Sequence, residues 1–428
     1  MIYLFQRFVY QIPRGTRDFT IIEMQNRRYV EEKIRSTFES YGYKEVQTPT
    51  FENLELFTAK SGEGIIDEIY SFKDKGGRDL ALRPELTAPV IRFYVEKLQM
   101  EPKPLKLYYF GNCYRYDRPQ KGRYREFTQA GCEIIGTDTP ESTAELISMA
   151  YNILKNLGLK KIRLKVGNLI ILKEIFKKIK LTEEKQKYII PLIDKNLYEE
   201  LMNAMSEFRI NQKDISEFID ILENSDIEKL RNYLKDNKNV LDEIEKFEKI
   251  KNLLENSYKI SDLSVKMSIV RGLDYYTGTV FEIEAPCLGA ESQLCGGGVY
   301  ELIELFDGRP SGQAGFALGF DRTIIAMGEE KIVFPKKTID LYIIPIDEKT
   351  ILKAVEIAEN LRKNGLNVDM DLLRRNIGKA LKYASSINAK KVIIIGPDEI
   401  EKNVVSIKDM KTGKQETVKI DDLINFLK

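Results

Sequence analysis

The sequence contains no histidine and no tryptophan among its 428 residues. Histidine is the usual general base near neutral pH. Its absence excludes Ser–His and Cys–His nucleophile systems. Chemistry must come from arginine, carboxylates, tyrosine, backbone amides or a metal, a set suited to stabilising a charged transition state. Cysteine is scarce as well: Cys113, Cys132, Cys287 and Cys295 form no CxxC pair and show no zinc spacing. Reduced thiols in a cytoplasmic protein are the expectation. No apolar run reaches the roughly 18 residues of a membrane span, and the first residues, Met-Ile-Tyr-Leu-Phe-Gln-Arg, lack a signal-peptide pattern. Nor does charge of one sign dominate. With 67 Lys+Arg against 66 Asp+Glu, any nucleic-acid surface must be a local basic patch.

What is present is a globular composition, 43% hydrophobic and 31% charged. Apolar positions Ile22, Met24, Tyr29, Ile34 and Phe38 predict a helix over 20–42, closed by Gly42. Residues 45–51 read as a strand carrying Pro49 at an edge. Strands over 105–116 and 124–135 form a hairpin whose basic loop is unusually long, a common mark of function. A Lys/Glu/Asn-rich helical stretch over 171–259 reads as an insertion that splits a domain spanning 12–170 and 260–327. After a linker at 328–337, a β-α-β-α pattern with the buried parallel-type strand Val392-Ile393-Ile394-Ile395 marks a separate α/β domain over 338–428.

Four constellations carry chemistry. In the hairpin, Arg115 and Asp117 share one strand face, and Phe127 and Gln129 share one face of the other. An arginine fork holds phosphate or carboxylate through paired hydrogen bonds, and a phenylalanine on that face can stack a nucleobase; the plain alternative is cross-strand ion pairing. Arg271-Gly272-Leu273-Asp274-Tyr275-Tyr276-Thr277-Gly278 places an arginine and two tyrosines between glycines, either at a ligand or in a core turn. Gly296-Gly297-Gly298 suits a floor for a small ligand, and Arg322 falls at a predicted helix start, which favours anions. No Lys-Ser/Thr follows the glycines, so this is not a Walker loop. Arg83-Pro84-Glu85-Leu86-Thr87-Ala88 could hold an ammonium group or cap a helix.

Together, Arg-Pro-Glu-Leu-Thr-Ala, Tyr-Arg-x-Asp-Arg-Pro-Gln-Lys-Gly-Arg-Tyr-Arg-Glu-Phe, Arg-Gly-Leu-Asp-Tyr-Tyr-Thr-Gly and Gly-Phe-Ala-Leu-Gly-Phe-Asp-Arg closely resemble the histidyl-tRNA synthetase family of class II aminoacyl-tRNA synthetases. The resemblance runs from Pro13 onward and is weakest in the insertion. It implies an α+β fold: a class II catalytic domain, with an antiparallel sheet flanked by helices, plus the helical insertion and a C-terminal α/β anticodon-binding domain. A homodimer is implied, with Pro49 near its interface. The implied activity joins histidine to tRNA(His) in the cytoplasm, with ATP as substrate and Mg2+ accompanying it and no dedicated protein metal site. Arg115, Arg271 and Arg322 match the catalytic arginines. Asp117 and Phe127 join Arg115 and Arg322 around ATP. Glu85, Leu86, Thr87, Arg115, Gln129, Glu133, Arg271, Tyr275 and Tyr276 match the histidine site, with Glu133 and Tyr276 on the imidazole. Arg118, Gln120, Lys121 and Arg123 match the loop that meets the acceptor end of tRNA, and Arg374, Arg375 and Lys379 are candidate RNA contacts of the last domain. Val299 and Glu301 depart from the family, which has arginine and aspartate there; Arg309 is a candidate substitute for that arginine.

Three rivals remain. The paralogous regulatory subunit of ATP phosphoribosyltransferase normally lacks the last domain. Synthetases for threonine or proline lack the Arg-Gly-Leu-Asp-Tyr-Tyr run. A non-enzymatic RNA-binding module has no use for three site arginines. The absent histidine has a consequence of its own: ribosomes making this chain never need charged histidine tRNA. Its synthesis under histidine starvation should therefore fall less than that of a histidine-containing protein, and an equal drop in both would refute this.

Overall fold

The computed structural model describes residues 10–61, 67–270 and 276–427. The described chain divides into two compact units, residues 1–333 and 334–428.

The first unit is organised by an eight-stranded sheet. Its order is Lys44–Glu45, Leu105–Tyr114, Glu126–Ile135, Gln313–Gly319, Gln293–Tyr300, Tyr276–Glu284, Arg163–Asn168 and Leu263–Val265. The six inner strands run antiparallel, and only the two edge strands pair parallel. The expected antiparallel sheet is thus mixed at its rims. One face packs on helices Ile21–Ser40 and Pro140–Asn156 through stacked rings: Phe38 lies 5.0 Å from Tyr108 and 5.8 Å from Phe316. The first of these helices starts at a Thr20–Glu23 capping box and ends where Gly42 takes a left-handed φ of 79°. Its buried stripe is Val30, Ile34, Thr37 and Phe38, whereas Ile22 and Met24 are exposed. The apolar pattern located the helix but misplaced its inner face over the first turn.

The single strand expected over 45–51 is two. Lys44–Glu45 joins the large sheet, and Phe51–Asn53 joins a three-stranded sheet with Asp79–Leu82 and Ser71–Lys73. Thr48 and Pro49 turn between them, their carbonyls both bonded by the buried Arg83 guanidinium. Proline cannot donate to a ladder, so the chain changes sheets there.

The helical stretch is confirmed as six helices from Leu169–Lys178 to Lys238–Asn252. Asn168 both ends a sheet strand and caps the first of them, accepting from the Ile170 and Ile171 amides at 3.0 and 3.1 Å.

The second unit holds a five-stranded sheet ordered Val368–Met370, Ile339–Pro345, Ala389–Ile395, Val404–Asp409, Gln415–Lys419. The first two joins are parallel, as expected from the β-α-β-α pattern; the last two are antiparallel and escaped the sequence reading. Helix Ile351–Lys363 covers one face and Ile377–Ser386 the other.

Candidate active site

The sheet face turned away from the stacked rings is cleared of bulk at its centre. Reading across it, Tyr109 faces Gly131 and Gly131 faces Ala317. One pair along, Glu133 faces Gly315, and Gly315 faces Gly298. The clearance is tight rather than open. A Cβ added to Gly315 would lie 1.7 Å from Glu133 Oε2 and 2.6 Å from the Cys132 carbonyl; one on Gly131 would meet the Tyr109 ring at 2.5 Å. The glycines let a carboxyl and an aromatic ring lie flat on the sheet.

Glu133 is fully buried. Tyr109 donates to its Oε1 at 2.9 Å, and the Tyr300 hydroxyl donates to its Oε2. Thr87 Oγ1 sits 3.2 Å from the Tyr109 hydroxyl, which extends the chain to Thr87–Tyr109–Glu133–Tyr300. Burial pushes Glu133 up to about 8, with the tyrosine hydrogen bonds pulling the other way. Burial thus favours the protonated form of this acid. Tyr276 is buried beside this group, its ring edge-on to Tyr300 with centroids 6.1 Å apart.

Two residues earlier along each step of the same strand face come Gly131, Gln129 and Phe127. Gln129 accepts from the Cys113 thiol at 3.3 Å. Arg115 leaves the end of the neighbouring strand and holds its guanidinium carbon 5.3 Å from the centre of the Phe127 ring. Its Nε donates to the Pro84 carbonyl at 2.9 Å. Glu85 sits at a helix start, one of the two roles read from the sequence. Its carboxylate accepts from the amides of Thr87 and Ala88 at the start of helix Thr87–Phe93. Burial raises its pKa despite those bonds and the nearby Arg115. Leu86 is buried in the apolar cluster with Val90, Leu107, Tyr109 and Cys113, so it packs the helix down beneath the site.

Arg322 occupies the first turn of helix Phe320–Glu329, where the predicted helix start placed it. The preceding Asp321 locks that helix to the hairpin. It accepts from Arg17 Nη2 at 2.7 Å, Arg27 Nη1 at 2.6 Å and the Thr128 amide at 2.7 Å. Burial lowers the pKa of Arg322, but a guanidinium stays charged at any physiological pH. The loop residues meet acidic partners. Gln120 and Arg123 reach Glu291, and Lys121 reaches Glu329, while Arg118 is exposed. Asp117 lies 4.0 Å from Arg123.

Arg271 and Tyr275 lie outside the described residues. Val299 packs in the sheet opposite Ala314, 3.1 Å from where a Cβ on Gly278 would stand; Glu301 is exposed. Arg309 is exposed, and its amide donates to Gln99. In the second unit Arg375 pairs with the buried Asp371 and stacks 4.1 Å over Tyr383, so it holds a loop in shape; Arg374 and Lys379 are exposed. Sequence reasoning missed Tyr109, Tyr300, Glu291 and Asp321. A signal existed only for Tyr109, which shares its strand face with Gly111 and Cys113 at the alternation already used for Arg115.

An antiparallel sheet with helices packed on one face, a hairpin arginine over a phenylalanine and a helix-borne arginine after the last central strand define a class II aminoacyl-tRNA synthetase catalytic unit. The sequence model of the family described as Histidyl-tRNA synthetase matches residues 15–323, and that described as Anticodon binding domain matches residues 340–428. The chain belongs to the histidyl-tRNA synthetase family. It is 44% identical over 431 residues to the histidine–tRNA ligase of Methanocaldococcus jannaschii, covering 100% of each chain. The structure of apo S. aureus histidyl-tRNA synthetase aligns with a TM-score of 0.73 at 31% identity, over 98% of this chain and 100% of that one. A structure from Bacillus halodurans C described as an ATP phosphoribosyltransferase regulatory subunit/histidyl-tRNA synthetase aligns with a TM-score of 0.78 at 25% identity, over 91% of this chain and 99% of that one.

The tight floor predicts that Gly315→Ala is costly, because the Cys132 carbonyl cannot move aside as a side chain could. Overpacking of this kind costs about 1–3 kcal/mol. Denaturant unfolding should show that loss, and an unchanged midpoint would mean the floor is looser than described.

Proposed function

We propose that this chain is a histidine–tRNA ligase. It activates histidine with ATP to histidyl-adenylate and pyrophosphate, then transfers histidine to the 3′ end of tRNA(His). The observation that carries this reading is the buried Glu133 carboxyl on the same strand face as Phe127. Six residues at about 3.4 Å each put them roughly 20 Å apart along the strand. That span suits an extended ligand with a polar heterocycle at one end and a stacked base at the other.

Imidazole has one nitrogen that donates and one that accepts. Glu133 serves one of them and a tyrosine hydroxyl of the Tyr276–Tyr300 pair the other. A substrate that left this buried group unpaired would be rejected by roughly 10⁴–10⁵ in favourable cases. Glu85, Thr87 and Gln129 surround the ammonium, and Arg115 and Arg271 hold the carboxylate and the α-phosphate from two sides. Leu86 and Tyr275 complete the pocket wall. The carboxylate oxygen attacks the α-phosphorus in line and the bond to the bridging oxygen of pyrophosphate breaks. Positioning and charge stabilisation lower this barrier. Phe127 stacks the adenine, Arg322 takes the terminal phosphates and Asp117 joins them around ATP; magnesium would accompany the phosphates, where hydrated magnesium needs only one or two carboxylates.

Residues 12–170 and 260–327 form the catalytic domain in this reading, 171–259 the insertion against the acceptor stem, 328–337 the linker and 338–428 the anticodon-binding domain. Arg118, Gln120, Lys121 and Arg123 face the acceptor end, and Arg374 and Lys379 face the anticodon side. A homodimer is supported by the exposed edge-on pair Phe51–Phe72, 6.3 Å apart, on the small sheet that follows Pro49. No helix among the described residues is long and apolar enough to cross a membrane, in keeping with work in the cytoplasm. The match of residues 340–428 to an anticodon-binding domain weighs against the regulatory-subunit rival.

Pyrophosphate exchange run with each of the twenty amino acids tests the reading. Exchange should appear with histidine alone; no exchange with any would favour the regulatory subunit. In the same assay Arg271→Ala should lose about 10²–10³ in rate, as for removal of one transition-state donor, with near-normal exchange refuting its role. A pH dependence follows from Glu133. The bound pair should hold one shared proton, which keeps the buried site free of a bare carboxylate. Free imidazole is neutral above about 6.5, and free Glu133 is protonated below about 8. Histidine affinity should peak between those values. Below them imidazolium must shed a proton to enter, and above them ionised Glu133 must take one up. Calorimetry in two buffers of different ionisation enthalpy checks this, and an affinity that keeps rising through pH 8 would contradict it.

A further inference from the structure

Each of the three guanidinium nitrogens of Arg322 already has a partner among the described residues. Its Nε donates to the Gly122 carbonyl at 2.9 Å, Nη1 to the Gln293 carbonyl at 3.2 Å and Nη2 to Glu291 at 2.6 Å. Glu291 also accepts from Gln120 Nε2 at 2.7 Å and lies 3.3 Å from Arg123 Nη2. One carboxylate thus gathers the helix arginine and two side chains of the long hairpin loop. The Arg322–Glu291 pair is mostly shielded, with side-chain exposures of 23% and 21%, so solvent screens it less than a surface pair. Lys121 on Glu329 and Gly122 on Arg322 hold the same loop down on helix Phe320–Glu329.

We infer that Glu291 is a latch in the nucleotide site: its carboxylate occupies the anion position of Arg322, and the terminal phosphates of the nucleotide displace it, which frees Gln120 and Arg123 for RNA. The inference rests on the reading that Arg322 binds those phosphates. Two adjoining phosphates carry more charge than one carboxylate and present the oxygen pairs that a guanidinium fork accepts, so they win the exchange when bound. Until then the latch lowers phosphate affinity by the fraction of time it is closed. The same displacement unfastens two of the loop's three ties to acidic side chains. Nucleotide occupancy and exposure of the RNA-facing loop are coupled through one side chain. A role in merely shaping the loop would make removal of Glu291 weaken phosphate binding, whereas a latch makes removal strengthen it.

Full-length protein is titrated with magnesium pyrophosphate by calorimetry, as wild type, Glu291→Gln and Arg322→Lys, each checked for an unchanged thermal unfolding transition. Glu291→Gln should bind about tenfold tighter if the latch is closed about 90% of the time, and Arg322→Lys should bind more weakly than wild type. If Arg322→Lys binds as well as wild type, the phosphate assignment of Arg322 fails. If Arg322→Lys is impaired but Glu291→Gln is equal to or weaker than wild type, that assignment stands and the latch is refuted. Limited trypsin digestion without ligand reads the loop directly. Cleavage after Lys121 or Arg123 should be several-fold faster in Glu291→Gln than in wild type, and equal rates would overturn the coupling.

Discussion

Glu133 is a carboxyl group with no exposed surface, set in the middle of a sheet between strands that reach it from four parts of the chain. An acid in that position must be protonated or bonded at both oxygens. Tyr109 and Tyr300 bond both; Gly131 leaves room for the Tyr109 ring, and Gly315 for the Glu133 carboxyl itself. The pairing register of the six inner strands, the run of glycines and the position of Thr87 at a helix start all serve that arrangement. A one-residue slip in any of these strands would turn its side chains to the ring-packed face.

The two ends of the strand face have opposite electrostatic characters. Around Glu133 the described hydrogen-bond partners are hydroxyls, and burial, opposed by those bonds, puts its proton within reach of neutral pH. At the Arg115 and Arg322 end the charges are permanent; Glu291 pairs with Arg322, Asp117 lies beside Arg123, and Asp321 pairs with Arg17 and Arg27. A guanidinium needs no proton management, which suits a reaction that moves charge among phosphate oxygens. The proton that a histidine side chain usually carries in such chemistry has no task at that end, and at the other end the histidine is the substrate. A chain without histidine loses nothing in this division of work.

Much of this was legible in the residues. Alternation along 105–135 put Arg115 and Phe127 each on a strand face, and the register pairing Cys113 with Phe127 brings the Arg115 guanidinium 5.3 Å from the Phe127 ring. The helix start before Arg322, the helical insertion and the parallel strands of the last unit were readable for the same reason: each depends on residues a few positions apart. The failures share a cause too. The strand read over 45–51 splits because Arg83, from elsewhere in the chain, takes the carbonyls at Thr48 and Pro49. Ile22 and Met24 looked inward by period, but among the described residues nothing buries them in the first turn of their helix. Nor did any local pattern show that Arg375 pairs with Asp371 and stacks on Tyr383.

The sequence by itself determined which chemistry is available, which local elements form and, through four short motifs, the family. Those properties reside in residue types and short spacings. Only the tertiary structure decided who touches whom: that Tyr300 bonds Glu133 across 167 positions, that Asp321 ties Arg17 and Arg27 to the helix of Arg322, and that Glu291 closes on Arg322 from 31 positions away. The physical reason is that a buried polar group is satisfied by whatever the packed strands bring within about 3 Å, and no pattern in a single segment records what another segment will deliver there.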